Sequence, residues 1–238
     1  MEVVILGKYG PFSVNGGSTS GYLVKASNDA CVLDLGSGTV SKLLNKIDID
    51  SLKFVFLSHL HFDHVSDFGV LSYAINFLSK NKKINLYMFD DGSKMAELIK
   101  SNSAFNIVNI KEGTIYKEGE FTFSFYKMAH PVISFGIKII SGNKTLSYTG
   151  DTTINGDINS LCLGADLLIA DGCFLEKDYS ISKPHMSVKQ VCEIAEKFKV
   201  KTLVSHILYS YSDSEVSSEI KAFSALCEVA KEGETYIV

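Results

Sequence analysis

Arginine is absent from the 238 residues. All 23 basic side chains are lysine, set against 27 acidic ones for a net charge of −4. Without a guanidinium fork, no side chain can grip a phosphate or carboxylate in bidentate fashion. An acidic, arginine-free chain suits extended nucleic-acid binding by counterion release poorly, although lysine patches remain, and lysine in place of arginine is also what an AT-rich genome encodes. Proline is scarce at 3 residues, and together with 18 glycines it excludes a disordered or collagen-like chain. The five cysteines (Cys31, Cys162, Cys173, Cys192, Cys227) are widely spaced with no C-x-x-C, so neither a disulfide framework nor a zinc knuckle follows. They read as small buried residues of a reducing compartment, with Cys173 alone near residues singled out below. No apolar run approaches the roughly 18 residues of a membrane span. The N-terminal MEVVILGKYG lacks the basic region and apolar length of a signal peptide and reads as a first strand. The expectation is a cytoplasmic protein with no membrane partner.

What is present is an ordinary globular composition, 46% apolar and 21% charged. A chain of this length buries roughly 70% or more of its unfolded surface and needs no staples. Strand-like runs, β-branched or aromatic and bounded by turn residues, cover 2–6, 21–24, 31–34, 54–57, 84–88, 121–128, 135–140, 145–148, 167–170, 202–204 and 235–238. Helical periodicity covers 40–44, 65–78, 188–198 behind the cap Ser187, and 215–230. Hairpins alternate with strand-then-helix units, and one hairpin turns at Ser141-Gly142-Asn143. The mixture predicts an α/β fold with two sheets sandwiched between helices, in one domain over 1–238 without linker or repeat.

Six histidines carry the functional reading. Three lie in SHLHFDHVSD, directly after the apolar KFVFL and before a long helical segment, where α/β sheets place ligand sites. His59 and His61, two apart, project from one side of an extended chain, and Asp63 and His64 follow in the turn. Two histidines for one metal, with an aspartate and a histidine for a second, is a sensible division of nitrogen and oxygen donors for zinc, iron or manganese. His130 in KMAHP, His185 in KPHMS, His206 in LVSH and Asp151 in LSYTGDT each stand near a strand end or turn.

The H-x-H-x-D-H string with its downstream His, Asp and His resembles the metallo-β-lactamase-fold hydrolase superfamily, whose four-layer αββα sandwich agrees with the element pattern. The resemblance runs from Gly7 and the loop to Gly21, through DLGSGT at 34–39, to VSHILYSYSD. Within the superfamily the chain is most similar to the phosphodiesterase branch containing ribonuclease Z, on the strength of ADGCFLEKDYSISKPHMSVKQVCEIAEKFKVKTLVSHILYSYS. The resemblance implies one metal held by His59, His61 and His130, another by Asp63, His64 and His206, and Asp151 bridging them. It places His185 at the leaving group with Asp171 as its acidic partner, which uses all six histidines. Two divalent cations about 3.5–4 Å apart would then turn water into a hydroxide nucleophile near neutral pH. For a phosphodiester, His185 would protonate the departing oxygen.

The chain also departs from that branch. Ribonuclease Z proteins carry a long arm for transfer RNA, typically between the third motif's histidine and the bridging aspartate, where this chain has only the twenty residues 131–150. The branch's H-E-A-T segment is Ala170-Asp171-Gly172-Cys173 here. Transfer-RNA processing is therefore disfavoured, and the expected substrate is a small or short nucleotide phosphodiester. Gly36-Ser37-Gly38-Thr39 and Ser18-Thr19-Ser20 are candidate phosphate-contact loops, because small residues let backbone N–H groups approach an anion. Two rivals stand beside this reading, a hydrolase of a thioester, lactone or other carbonyl substrate at the same site and a non-catalytic metal-binding protein. A homodimer is left open, as is the identity of the metals, with zinc first.

Overall fold

The computed structural model describes residues 1–80 and 83–238. In chain order the first half comprises β1 (Glu2–Gly7), β2 (Tyr9–Gly10), β3 (Gly21–Ala26), β4 (Asp29–Leu33), α1 (Thr39–Leu43), β5 (Leu52–Phe56), α2 (Phe62–Val65), α3 (Phe68–Leu78), β6 (Ile84–Met88), α4 (Lys94–Lys100) and β7 (Phe105–Asn109). The second half follows with β8 (Ile115–Glu118), β9 (Phe121–Met128), β10 (Ser134–Ser141), β11 (Lys144–Tyr148), α5 (Ile158–Cys162) and β12 (Leu167–Asp171). It closes with α6 (Val188–Phe198), β13 (Lys201–Ser205), β14 (Ile207–Leu208), α7 (Asp213–Phe223), β15 (Cys227–Val229) and β16 (Thr235–Ile237). One seven-stranded sheet runs β16-β1-β3-β4-β5-β6-β7 and the other β15-β13-β12-β11-β10-β9-β8, with β14 and β2 forming a separate two-stranded pair.

Period-two alternation builds the layers. Val3 and Ile5 of β1 enter the core between the sheets, with Phe54 and Phe56 of β5 and Phe121, Phe123 and Phe125 of β9. Their neighbours Val4, Leu6, Val55 and Leu57 face the other way, onto Val40 and Leu43 of α1, Leu71 and Ile75 of α3 and Ile99 of α4. On the second sheet Ile169 points inward, while Leu168 and Ala170 meet Leu161 of α5, Val191 of α6 and Ile220 of α7. The result is the expected αββα sandwich. Phe54 stacks on Phe123 at 4.3 Å and Phe56 on Phe125 at 5.2 Å, locking the sheets face to face. Such pairs add roughly 0.5–1.5 kcal/mol beyond their area burial.

Two expected helices are corrected. The helix expected over 65–78 is split into α2 and α3, because the Asp67 N–H bonds Leu35 O at 2.8 Å instead of continuing the ladder. The helix expected over 215–230 starts earlier, at a Ser212–Glu215 capping box, and stops at Ser224, which is extended at φ −155°. Cys227–Val229 then pairs in parallel with β13, so sheet pairing overrides the helical periodicity there. The turn at Gly142-Asn143 joins β10 to β11 as expected, with Ser141 opposite Lys144. Among the described residues, no helix is long and apolar enough to cross a membrane.

Candidate metal centre

Seven side chains converge where strands from the two sheets end. The chain leaving β5 carries the first three histidines. His59 and His61 follow it in extended chain, and His61 is the N-cap of the single-turn α2, which carries Asp63 and His64. From the other sheet, His130 comes from the loop after β9, Asp151 from the loop after β11 and His206 from the residue after β13. His206 adopts φ 56°, in the left-handed region costly to a residue with a Cβ, so the packing around it holds a strained backbone in place.

The donor atoms form two adjoining groups that share one carboxylate. His59, His61, His130 and Asp151 bring ligand atoms within 4.8 Å of one another, as do Asp63, His64, Asp151 and His206. In the first, His59 Nε2 lies 3.0 Å from His61 Nδ1 and 3.5 Å from Asp151 Oδ2, and His130 Nε2 lies 3.3 Å from His61 Nδ1. In the second, His206 Nε2 lies 3.2 Å from Asp63 Oδ2 and 3.3 Å from Asp151 Oδ2, and His64 Nε2 lies 3.2 Å from Asp151 Oδ1. The seven side chains are thus brought together in the two groups that the family resemblance implied.

Three of the histidines have the far ring nitrogen occupied, which aims the near one into the centre. His64 Nδ1 donates to Asp34 Oδ2 at 2.7 Å, His130 Nδ1 to the Pro184 carbonyl at 3.2 Å, and His59 Nδ1 meets Ser58 Oγ at 3.1 Å. Such partners fix tautomer and ring orientation in metal sites. Asp34 is the hub, also accepting from the Ser58 N–H at 2.7 Å, the Ser58 hydroxyl at 2.8 Å and the Tyr148 hydroxyl at 2.6 Å. Sequence reasoning quoted Asp34 within DLGSGT without assigning it this role. Its one local signal is an ionisable residue directly after the apolar run Ala30–Leu33, and its three partners come from elsewhere.

The chemistry of the set fits metal cations. His64 Nε2 and Asp151 Oδ1 are buried without a hydrogen-bond partner. An orphaned buried polar atom costs roughly 1–3 kcal/mol, a penalty that a cation held between these atoms removes. Electrostatics divides the groups. Burial, reinforced by neighbouring His64, holds His59 well below the usual imidazole range, and burial lowers His61 and His130 too. Burial also opposes charge on His64 and His206, but Asp151 outweighs it, helped by Asp34 for the one and by Asp171 and Asp63 for the other, and both rise well above that range. Burial works against ionisation of Asp63 and Asp151 as well. His206 and His64 overcome it, leaving both carboxyls below the usual range.

His185 and Asp171 sit beside the centre as expected. His185 Nδ1 bonds Asp171 Oδ2 at 2.8 Å and lies 3.8 Å from Asp151 Oδ2. Asp171 is itself anchored, accepting from the Thr152 N–H at 3.0 Å and the Cys173 N–H at 3.2 Å. Two further groupings, Cys173–His185–His206 and Asp151–Asp171–His185–His206, overlap the second set through His206, and the latter also contains the shared Asp151. In both, His185 Nδ1 is already committed to Asp171, which leaves Nε2 as the atom available to a ligand or substrate.

The candidate phosphate loops are a correction. The N–H of Gly36 donates to Ser20 O at 2.9 Å, that of Thr39 to Gly36 O at 3.2 Å and that of Thr19 to Ser37 O at 3.2 Å. Ser37 N–H bonds Thr19 Oγ1 at 2.7 Å and Ser18 N–H bonds Glu232 Oε1 at 2.9 Å. Three of these five bonds brace the two loops against each other, one closes a turn within a loop and one reaches Glu232, so these five amides are withdrawn from anion binding. Gly36 is needed for close approach, since a Cβ there would lie 2.3 Å from the Asp63 carbonyl.

A family model described as the beta-lactamase superfamily domain matches residues 22–207. The chain is 28% identical over 239 residues to the probable metallo-hydrolase YhfI of Bacillus subtilis, covering 98% of each. The crystal structure of that metallo-beta-lactamase fold protein superposes with a TM-score of 0.91 over 99% of both chains. Ribonuclease Z of Saccharolobus solfataricus is 26% identical over 84% of this chain and 85% of its own. The short form of human tRNase Z shares the fold, with a TM-score of 0.79 at 17% identity over 100% of this chain and 99% of that one. With its two sheets, its shared-aspartate histidine centre and this match over most of its length, the chain belongs to the beta-lactamase superfamily.

Proposed function

We propose that the protein is a dinuclear metal-dependent phosphodiesterase acting on a small or nucleotide-type diester. The observation that carries this reading is Asp151, which belongs to both donor groups while His185, backed by Asp171, stands 3.8 Å away. His59, His61 and His130 would hold one divalent cation, Asp63, His64 and His206 the other, and Asp151 both; nitrogen and carboxylate donors suit zinc, with manganese and iron as the alternatives. Bound there, two cations supply neutralisation of charge on the attacked group and a nucleophile at neutral pH. The rest falls to the chain. Asp171 holds the proton of His185 on Nδ1 and stabilises the charged ring, so Nε2 can deliver a proton to the departing alkoxide. A diester with a poor leaving group needs such a donor, and the Asp171–His185 pair is oriented for it. The ribonuclease Z relative supports a phosphodiester as substrate class. The two-residue turn of the β10–β11 hairpin supports a small one, since nothing in 131–150 extends as an arm.

The test is a panel of bis(p-nitrophenyl) phosphate, a thioester and a lactone on metal-loaded protein. Diester turnover supports the proposal. Carbonyl turnover without diester turnover replaces it with a thioesterase or lactonase, and silence on all three with stoichiometric metal indicates a non-catalytic binder.

A further inference from the structure

We infer that the stacked pair Phe12–Tyr209 is a substrate platform for a flat aromatic group, a nucleobase or an aryl ring, joined to the phosphate; this rests on the phosphodiesterase reading. The two rings lie 4.2 Å apart at 26°, yet Phe12 is 51% and Tyr209 43% exposed. Two large apolar rings from distant parts of the chain are therefore stacked in water rather than in a core. Single exposed hydrophobics are ordinary. A built stack is a different matter, because something must hold it.

What holds it is the two-stranded pair, which lies outside both main sheets. β2 and β14 pair in parallel, Ile207 opposite Tyr9 and Leu208 opposite Gly10, and the Ile207 N–H donates to Lys8 O at 2.8 Å. Gly10 lies against the His206 ring so closely that a Cβ there would come within 2.1 Å of Nε2, so only glycine fits. Phe12 stands two residues beyond Gly10, and Tyr209 three beyond His206. Three residues of chain reach at most about 10 Å, which keeps the pair beside the metal centre. The small sheet joins the stack rigidly to a candidate ligand.

The surroundings agree. Phe62, between His61 and Asp63, is 73% exposed, and Ile133 after His130 and Ile154 after Asp151 are exposed as well. Loops that present polar donors inward thus carry apolar side chains at the surface. Lacking arginine, the chain has no fork to grip the rest of a phosphate ester. Apolar and stacking contacts can supply that recognition, and an aromatic face accepts any base because every base has a π-face.

The test measures binding to metal-loaded protein by calorimetry, using thymidine 5′-monophosphate, phenyl phosphate and ribose 5-phosphate. At least one aromatic ester should bind about tenfold tighter than ribose 5-phosphate. That preference should vanish in Phe12→Leu and Tyr209→Leu, which keep apolar bulk but lose the ring, and survive in Tyr209→Phe. Preference for thymidine 5′-monophosphate over phenyl phosphate identifies a nucleobase as the occupant, and equal binding of the two identifies any aryl group. Equal binding of all three esters, no binding of the aromatic ones, or a preference untouched in both leucine variants overturns the platform. Turnover of the p-nitrophenyl ester of thymidine 5′-monophosphate is read on the same samples. Its absence sinks the phosphodiesterase reading, while the binding comparison still decides the platform.

Discussion

His185 and Asp34 illustrate two different ways a side chain serves this centre. His185 is bound by Asp171 through Nδ1 and belongs to neither shared-carboxylate set, so His185→Ala should retain the metals by elemental analysis. Its loss should slow diester cleavage by roughly 10²–10⁴-fold, and by much less for p-nitrophenolate esters, whose leaving group needs little protonation. Loss of metal would make it a ligand instead, and an equal slowing for good and poor leaving groups would remove the proton-donor role. Asp34 belongs to neither donor group but bonds His64 of the second, together with Ser58 and Tyr148. Asp34→Asn should therefore weaken metal affinity by roughly 10–100-fold in competition with a chelator, with the circular-dichroism spectrum unchanged. Unaltered affinity would show that His64 is oriented without it. Residue type alone singled out His59, His61, Asp63 and His64 as candidates, because imidazoles and a carboxylate crowded after an apolar strand have few other uses. Asp34 escaped notice because its meaning lies in Ser58, His64 and Tyr148, 24, 30 and 114 residues away.

The elements that position the site are short and depend on caps. α6 begins directly after the loop carrying His185, and Ser187 caps it reciprocally with Gln190 while donating to Glu176 Oε2 at 2.7 Å. Ser187→Ala should cost about 0.5–2 kcal/mol, read as a lower urea midpoint at constant slope. A shift within experimental error would show that the neighbouring contacts carry the helix start alone. The strand runs were readable because β-branched and aromatic residues alternate at period two, as in Phe121, Phe123 and Phe125. β7, α4, α5, β8 and β15 were not anticipated. They are short, mostly only partly buried, and their pattern is decided by the strand or sheet each one meets. The run 215–230 shows why, since its helical periodicity yields at Ser224 to the free edge of β13.

At the scale of the whole molecule, the centre ties the two sheets together, with β5 in one and β9, β11 and β13 in the other. Purified, reconstituted protein should bind close to two transition-metal ions, a count following from the two donor groups. Asp151→Ala should impair both sites and His206→Ala chiefly one, and a maximum of one ion in the unaltered chain would remove the two-metal reading. In the metal-free protein the carboxylates keep His64 and His206 protonated above the usual imidazole range. Coordination needs the neutral ring, so loading should release about two protons at neutral pH, and affinity should climb as pH rises. Calorimetry in buffers of different ionisation enthalpy counts those protons, and a pH-independent affinity would contradict the charge assignment.

The two donor sets and the Asp171–His185 pairing were implied only by the family resemblance, whereas composition, alternation and the H-x-H-x-D-H spacing by themselves indicated two sheets between helices, most of the strands and the clustered candidates His59, His61, Asp63 and His64. Each of these is written in residue type and local period, which a linear reading can see. Tertiary structure alone decided which ring nitrogen of His64, His130 and His59 faces inward, since that depends on Asp34, Pro184 and Ser58. It also turned the Thr19, Gly36 and Ser37 amides of the two glycine- and serine-rich loops onto one another, and it set Phe12 against Tyr209 across 197 positions of sequence through the β2–β14 pair. Contacts of that kind depend on where the backbone returns to itself, and no local pattern in the chain encodes the return.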